Sequence, residues 1–183
     1  MSPAATHTSE EAERAVLDTA DELFYREGIA AVTMARIRDR SGVSLRRLYS
    51  MYPAKADLVT GWLEHRHGTW MTWFEAEVAR LTHAGATPVD AIFDALTVWL
   101  ESSEFRGCGF INALAETAEL TSEHEVLIRQ HKQALIDHLA SFTPQAEALA
   151  VVVDGAIVQA AVFKGVEPLA AARRAAAAII DQN

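Results

Sequence analysis

The stretch SGVSLRRLYSMY, residues 41–52, contains the local signals that decide the fold. Its glycine can end one helix, and Ser44 can cap the next. Pro53 stops that second helix, because proline disfavours the α conformation in the residue before it. Upstream, Thr33 is a good N-cap for the first of the pair. The two short helices would span residues 34–40 and 45–51. A glycine-bearing turn between two such helices predicts a helix-turn-helix.

The same region is a basic segment of an acidic chain. The 183 residues carry a formal net charge of −9. Between positions 36 and 55, however, six residues are basic and one, Asp39, is acidic. The six are Arg36, Arg38, Arg40, Arg46, Arg47 and Lys55. A basic patch on an acidic body lets a protein approach a polyanion through one surface only. Arginines that merely solvate a helix face are the alternative.

Apolar residues at helical spacing predict helices along the rest of the chain. Alanine is abundant and β-branched runs are few, which favours helices over strands. The further predicted spans are about 9–27, 54–81, 89–102, 111–120, 122–142, 144–164 and 168–180. We therefore expect an all-α protein of nine helices. A three-helix N-terminal domain, residues 1–53, would precede a larger C-terminal domain, residues 54–183.

The sequence also argues against several classes of protein. It begins without the basic start and apolar run of a secretory signal, and its most apolar stretch, residues 148–163, is interrupted by Asp154 and Gln159. We therefore expect that the chain does not span a membrane and that it is cytoplasmic. The GxSxG, GxGxxG, HExxH and P-loop motifs do not occur in the sequence. Neither an enzyme nor a bound cofactor is predicted.

Residues 16–63 resemble the N-terminal DNA-binding domain of the tetracycline-repressor (TetR) family of transcriptional regulators. The resemblance rests on four features: a threonine that opens helix two, an AGVS-like turn, an LYxxY pattern and a following KxxL. In this chain they are Thr33, Ile37, Ser41 to Ser44, Leu48, Tyr49, Tyr52, Lys55, Asp57 and Leu58. The segment WLESSEFRGCGFINALAE, residues 99–116, is similar to a C-terminal domain type frequent in actinobacterial members.

The basic segment would then bind double-stranded DNA. Arginine can bridge guanine O6 and N7 in the major groove, so Arg46 and Arg47 are the predicted base readers. The resemblance implies that Leu45, Ser50 and Met51 lie close to bases and that Thr33, Ser44, Tyr49, Tyr52 and Lys55 contact phosphates. For Tyr52 an alternative stays open, because its ring can instead pack beneath the domain. Ile37 and Leu48 are expected in the core.

A single three-helix unit reads only a few base pairs, so a homodimer and a palindromic operator are expected. The eighth helix has apolar residues on too many sides for one core, and its small residues permit close approach of another helix. We expect this helix and the last to form a four-helix bundle with their two-fold mates. The predicted interface residues are Val152, Gly155, Ala156, Gln159, Ala160, Leu169, Ala172 and Ala176. Complete burial of the eighth helix within one subunit is the alternative.

The C-terminal half has many bulky aromatic residues, which could line an apolar pocket for a small-molecule effector. The candidate ligand-binding residues are Trp70, Phe74, Phe93, Trp99, Phe110, Asn112, Glu116 and His131. Asn112 and Glu116 are four residues apart and could serve as polar anchors on one helix face. Most aromatic residues at helical spacing are ordinary core, which is the alternative for this set.

Three histidines and one cysteine complete the candidates. His124, His131 and His138 share a helix face, but their spacing places successive residues about 10 Å apart, so no metal site is predicted. Cys108 is the single cysteine, which excludes an internal disulfide and a cysteine-rich zinc site. We expect it to be a buried thiol rather than a redox switch.

These features predict a homodimeric transcriptional regulator of the TetR type. It would be a repressor that a small-molecule effector releases from a palindromic operator. Two other readings stay open: a structural helical dimer without sequence-specific DNA binding, and a small helical enzyme.

Overall fold

The computed structural model describes residues 8–102, 105–116, 118 and 120–180. Nine helices, and no strand, occur within these residues. They are α1 (Ser9–Glu27), α2 (Met34–Ser41), α3 (Leu45–Met51), α4 (Lys55–His83), α5 (Pro88–Leu100), α6 (Gly109–Ala115), α7 (Ser122–Ala140), α8 (Ala146–Phe163) and α9 (Glu167–Ile180). The prediction of an all-α chain with nine helices is confirmed.

The chain packs as two compact units. The first consists of residues 1–66 and 113–127, and the second of residues 67–112 and 128–183. The division falls inside α4, α6 and α7, so three continuous helices contribute residues to both units. The functional boundary between residues 53 and 54 stays a prediction.

In the first unit, α1 supplies one apolar face to a small core. Val16, Leu23 and Phe24 are buried, and the Phe24 ring meets Trp62 of α4 edge-on at 5.3 Å. Ile37 of α2 and Leu48 of α3 are fully buried, as the sequence predicts. The capping box formed by Thr8 and Glu11 begins α1 by satisfying two backbone N–H groups at that end.

A part-buried ion pair joins α1 to α4 in the same unit. Asp21 accepts hydrogen bonds from the indole N–H of Trp62 at 2.7 Å and from the Arg66 guanidinium at 2.6 Å. Arg66 also lies over the Tyr25 ring, 3.8 Å from its centroid. Because the Arg66 side chain is 10% exposed, its charge needs this carboxylate and this ring as partners.

In the second unit, α5 has an almost continuous buried face. Ile92, Phe93 and Leu96 are fully buried in that unit, as is Phe74 of α4. Helix α9 is fixed to α5 by Arg173, which bonds Asp94 and also lies 3.4 Å from Asp90.

Helix α8 is apolar on both its buried and its exposed sides. Leu149, Val153 and Ile157 are buried, whereas Val151 is 72% exposed and Val162 is 66% exposed. In the part of the chain that the structure describes, α8 is the one helix long and apolar enough to span a membrane by length and composition, with a mean hydropathy of 1.8. That measure describes composition alone, and 39% of the helix is buried inside the protein.

Four of the predicted dimer-interface residues require correction. Ala156, Ala160, Leu169 and Ala176 are at most 3% exposed, because α8 and α9 pack these small or apolar side chains inside the second unit. Their faces are therefore already used within the chain. Of the other predicted residues, Gly155 and Gln159 are exposed, and Val152 and Ala172 are half-buried.

Candidate nucleic-acid interface

The turn between α2 and α3 has the geometry that its sequence predicts. Gly42 adopts a left-handed conformation with φ of 72°, and its N–H donates to the Arg38 carbonyl at 3.0 Å. This conformation ends α2 and would be strained with most side chains. Ser44 then begins α3, since its hydroxyl accepts the Arg47 N–H at 3.4 Å. Thr33 caps α2 in the same way, accepting the Arg36 N–H at 3.3 Å.

Only one side of α3 packs against the core. Leu48 is 0% exposed, whereas Leu45 is 38% and Tyr49 is 45% exposed. Arg46 and Ser50 are exposed too, and Met51 and Lys55 are half-buried. The outer surface of α3 therefore combines a cation, a hydroxyl and apolar groups, the mixture with which proteins contact base edges and thymine methyl groups.

The two arginines of α3 have different environments. The Arg47 guanidinium donates to the Thr8 carbonyl at 2.6 Å, which places it against the start of α1. Arg46 is exposed and makes no hydrogen bond or ion pair with any of the described residues. The sequence predicted both arginines as base readers on equal terms. The structure distinguishes them, and Arg46 is the one whose guanidinium needs no rearrangement to reach a ligand.

The arginines of α2 are paired with acids. Arg36 forms a bidentate pair with Glu27, with N–O distances of 2.5 and 2.8 Å. Arg40 pairs with Glu22 at 2.9 Å, and Arg38 pairs with Asp39 at 2.5 Å. Two of these acids lie on α1, so the local charge count could not reveal the pairing. Arg46 of α3 is therefore a cation of this surface that no described acid neutralises.

Tyr52 is a buried residue of the first unit. It is 7% exposed, its hydroxyl is 3.5 Å from a Glu13 carboxylate oxygen, and a Cβ built on Gly61 would lie 2.9 Å from its ring. Burial, and then the Glu13 charge, raises the pKa of Tyr52 to about 12. This arrangement favours the packing alternative over the predicted phosphate contact, because the hydroxyl points toward an anion.

Five of the predicted ligand-binding residues form an aromatic cluster in the second unit. The Trp70 ring stacks on Phe74 at 4.8 Å and meets Trp99 edge-on at 5.5 Å. Phe110 stacks on His131 with ring centroids 3.7 Å apart. The Trp70 and His131 rings, 5.4 Å apart, connect the two groups. We call this set of five rings the aromatic cluster.

Polar atoms are built into this cluster and its border. The Nδ1 atoms of His67 and His131 are 3.2 Å apart, so one donates and the other accepts. The indole N–H of Trp70 is buried without a hydrogen-bond partner among the described residues, and so is Nε2 of His138. Since buried polar atoms are nearly always bonded in native proteins, these two atoms mark a place that is suited to a polar ligand.

Three predicted ligand-binding residues lie outside the cluster. Phe93 is fully buried in the core. Asn112 is exposed, and its amide donates to the Arg106 carbonyl at 2.9 Å. Glu116 belongs to the first unit, where its carboxylate accepts backbone N–H groups of the loop after α1. The spacing of four between Asn112 and Glu116 was misleading because α6 ends at Ala115.

The remaining candidates have ordinary structural partners. His124 is 0% exposed, with Nδ1 accepting the Thr121 N–H at 3.1 Å and Nε2 lying 3.0 Å from the Ala56 carbonyl. Cys108 is buried, 3.6 Å from the Lys132 ammonium, which also pairs with Asp154 at 2.6 Å. Among the described residues no group of three or more potential ligands could hold a metal ion.

His138 predicts a specific pH dependence of stability. Burial lowers the pKa of His138 below its ordinary 6.5, and the Glu75 charge offsets only part of this. The unfolded chain therefore takes up a proton at a higher pH than the folded protein. The stability contribution is complete above about pH 6.5 and is lost as the pH falls through the lowered pKa.

We expect His138→Gln to reduce the dependence of the thermal midpoint on pH between about pH 7.5 and 5.5. His83→Gln is the matched control, because His83 is exposed on α4. Thermal unfolding followed by circular dichroism measures both. Identical pH profiles for wild type and His138→Gln would contradict the prediction.

A short α2, a left-handed glycine turn and an exposed cationic α3 define a helix-turn-helix protein. Residues 16–60 match the family model described as "Bacterial regulatory proteins, tetR family". The resemblance to the TetR family that the sequence indicates for the N-terminal domain is thus confirmed.

Solved structures have the same overall fold. A TetR-family transcriptional regulator from Streptomyces coelicolor, SCO4454, is 24% identical, with 94% of this chain and 95% of that chain covered and a TM-score of 0.79. A TetR regulator from Chloroflexus aurantiacus is 18% identical, with 96% of each chain covered and a TM-score of 0.77. The multidrug binding protein EbrR, solved with malachite green, is 19% identical, with 92% of this chain and 97% of that chain covered and a TM-score of 0.74. No curated protein matches the sequence. The likeness of residues 99–116 to an actinobacterial domain type stays a prediction.

Proposed function

We propose that this protein is a homodimeric, DNA-binding transcriptional repressor that leaves a palindromic operator when a small-molecule effector binds. The observation that carries the proposal is the exposed face of α3, where Arg46 has no partner among the described residues while the α2 arginines are paired. An unpaired guanidinium on an exposed recognition-type helix is suited to guanine O6 and N7. The proposed role is binding rather than catalysis, in the cytoplasm.

The helix caps supply phosphate contacts in this proposal. The Thr33 and Ser44 hydroxyl oxygens accept backbone N–H groups, which leaves each O–H proton available to a phosphate oxygen. Tyr49 is exposed at the other end of α3 and can donate its phenol proton in the same way. These contacts would fix the register of the domain on DNA without selecting a sequence.

The exposed side of α8 supports the homodimer. Val151, Gly155, Val158 and Val162 follow one another at spacings of four, three and four, which puts them on one face. Val158 is 43% exposed, and a Cβ at Gly155 would meet nothing within 4 Å. A row of exposed valines beside an open glycine is suited to close packing against the same helix of a second copy.

The aromatic cluster supports the effector. Its Trp70 and Trp99 rings are partly exposed apolar groups, and the Trp70 N–H offers a hydrogen bond that the described residues do not use. EbrR, which shares the fold, was solved with malachite green. An apolar small molecule with a hydrogen-bond acceptor is the ligand that this cluster would suit.

Selection of bound duplexes from a random DNA pool tests the proposal. The expected result is enrichment of an inverted repeat, since two copies of α3 would meet successive major grooves. Recovery of no common sequence would contradict it and would favour the structural helical dimer.

Binding to the enriched duplex should also weaken steeply with salt. Each phosphate that the protein neutralises is expected to steepen the slope of log affinity against log salt by about 0.9. Fluorescence anisotropy at several salt concentrations measures the slope. Affinity that is independent of salt would be incompatible with a phosphate contact from Lys55.

A further inference from the structure

The second unit contains a cavity of about 700 Å³ where α5 and α8 end and α9 begins. The described residues that line it include none of the five rings of the aromatic cluster. Leu100, Phe105, Ala160 and Val166 supply its apolar wall. A cavity of this volume with an apolar wall is large enough for a small molecule.

Two cationic side chains, Arg106 and Lys164, line the same cavity from distant parts of the chain. Both residues are exposed. Lys164 makes no hydrogen bond or ion pair with any residue that the structure describes. Cations beside an apolar wall are suited to an anion that carries an apolar group.

The backbone of Lys164 is in a conformation that its side chain disfavours. Its φ is 56°, the one positive value among the non-glycine residues that the structure describes. The Lys164 N–H donates to the Ala160 carbonyl and so ends α8, at a position where glycine is the usual residue. A glycine, Gly165, directly follows. Because strained residues of this kind are frequent at functional sites, we connect the Lys164 side chain with a ligand.

The segment that carries Arg106 is fixed against α8. The Asn112 side-chain amide donates to the Arg106 carbonyl at 2.9 Å. Gly107 has a φ of +88°, and a Cβ there would lie 3.4 Å from the Cβ of Ala161. The glycine therefore permits a close approach to α8, and this approach places Arg106 at the cavity.

Two acids limit the charge of a ligand that this cavity could hold. Glu101 and Glu167 also line it, so they balance the two positive charges of Arg106 and Lys164. A ligand with one negative charge can pair with the cations. A polyphosphate or a nucleic-acid strand would bring several charges close to the carboxylates, which would repel it.

We propose that this cavity is a binding site for a small amphipathic carboxylate. The carboxylate group pairs with Arg106 and Lys164, and the apolar part of the ligand contacts Leu100, Phe105 and Val166. The inference goes beyond the proposed function, because it adds a site outside the aromatic cluster and assigns the chemistry of its ligand.

The position of the cavity is compatible with the proposed homodimer. Ala160 is two residues from both Val158 and Val162 in α8. Two residues correspond to about 200° of helical rotation, so Ala160 and the row of exposed valines lie on opposite sides of α8. Packing of that row against a second copy would leave the cavity side of the helix free.

The first test is isothermal titration calorimetry of the 183-residue protein with octanoate. 1-Octanol and octylammonium are the controls, since they keep the chain but remove or reverse the charge. We expect octanoate to bind at one site per chain and at least about tenfold more tightly than either control. Binding of octanoate that is no tighter than that of 1-octanol would overturn the anion site. Tighter binding of octylammonium would overturn it too, because the acids would then select the ligand.

Substitution of each cation locates the site. Lys164→Gln and Arg106→Gln remove one charge and keep a long polar side chain, so each should weaken octanoate binding about tenfold. Arg174→Gln is the matched control, because Arg174 is an exposed cation of the same unit and does not line the cavity. It should leave octanoate binding unchanged. Wild-type affinity in both cavity variants would assign octanoate to another site and overturn the proposal.

Lys164→Gly tests the connection between backbone strain and binding. Glycine adopts the left-handed conformation without strain, so the thermal midpoint should rise by about 2 °C. Octanoate binding should nevertheless weaken as it does in Lys164→Gln. Circular dichroism measures the midpoint, and calorimetry measures the binding. A lower midpoint would overturn the connection with strain, and unchanged binding would overturn the role of Lys164.

These measurements contain no DNA, so their outcome is independent of the proposed function. A protein that binds octanoate through Lys164 but selects no duplex would retain this site and lose the proposed function. A protein that selects an inverted repeat but binds octanoate no better than 1-octanol would retain the function and lose this site.

Discussion

Arg46→Ala is expected to weaken binding of the selected operator by about 1–3 kcal/mol and to relax the choice of base at one position in each half-site. The reason is geometric: Arg46 is exposed on α3, and no described residue holds its guanidinium. Arg47→Ala should have a smaller effect on base choice, because the Arg47 guanidinium is occupied by the Thr8 carbonyl. Anisotropy titrations with operator variants at each position measure both effects.

Arg80→Ala is the control for removing one positive charge. Arg80 lies in the last turn of α4 and pairs with Glu77, in the second unit. It should leave both affinity and base choice unchanged. If Arg46→Ala kept the full base preference of the wild type, the assignment of Arg46 as the base reader would be wrong.

Val158→Glu is expected to convert the proposed dimer into monomers and to raise the dissociation constant for the proposed operator by about 100-fold or more. Val158 lies next to Gly155 and Val162 on the exposed apolar face of α8. A carboxylate there would face its own symmetry mate across a two-fold axis, so two negative charges would meet in an apolar surface. Sedimentation velocity measures the oligomeric state.

Val98→Glu is the matched control for this change. Val98 is 54% exposed on α5, so the same substitution adds the same charge outside the proposed interface. It should leave the protein dimeric and able to bind DNA. A Val158→Glu protein that remained dimeric would show that the two copies associate through another surface.

Local signals explain why the helix-turn-helix could be predicted so closely from the sequence. Helix α3 begins and ends at the predicted residues, 45 and 51, because Ser44 and Pro53 act on their immediate neighbours. Gly42 likewise ends α2 through its own backbone conformation. The burial of Leu48 could be predicted because the three N-terminal helices share a single small core.

Contacts between distant parts of the chain could not be predicted in this way. Nothing in the sequence near Arg47 indicates that it docks on Thr8, and nothing near Glu116 indicates that its partners are the amides of Ile29 and Ala30. The spacing of four residues between Asn112 and Glu116 indicated a shared helical face, but α6 ends at Ala115, before Glu116. These contacts depend on packing between elements.

Helix α8 illustrates a different difficulty. Its residues are apolar on nearly every side, so the pattern predicted an interface without deciding which side faces inward. Ala156 and Ala160 were predicted at the interface because they are small. They pack within the chain, however, while the larger Val151 and Val162 are exposed. A helix with one polar side would have removed the ambiguity.

The central claim is that two copies of α3, held by one symmetric dimer, read the two halves of a palindrome. Its most direct test measures binding to the selected operator and to a version with about five base pairs inserted between the half-sites. The insertion rotates one half-site to the opposite side of the duplex while it preserves every base that α3 contacts. We predict that the insertion reduces affinity to that of a single half-site. Equal affinity for the two duplexes would contradict the account.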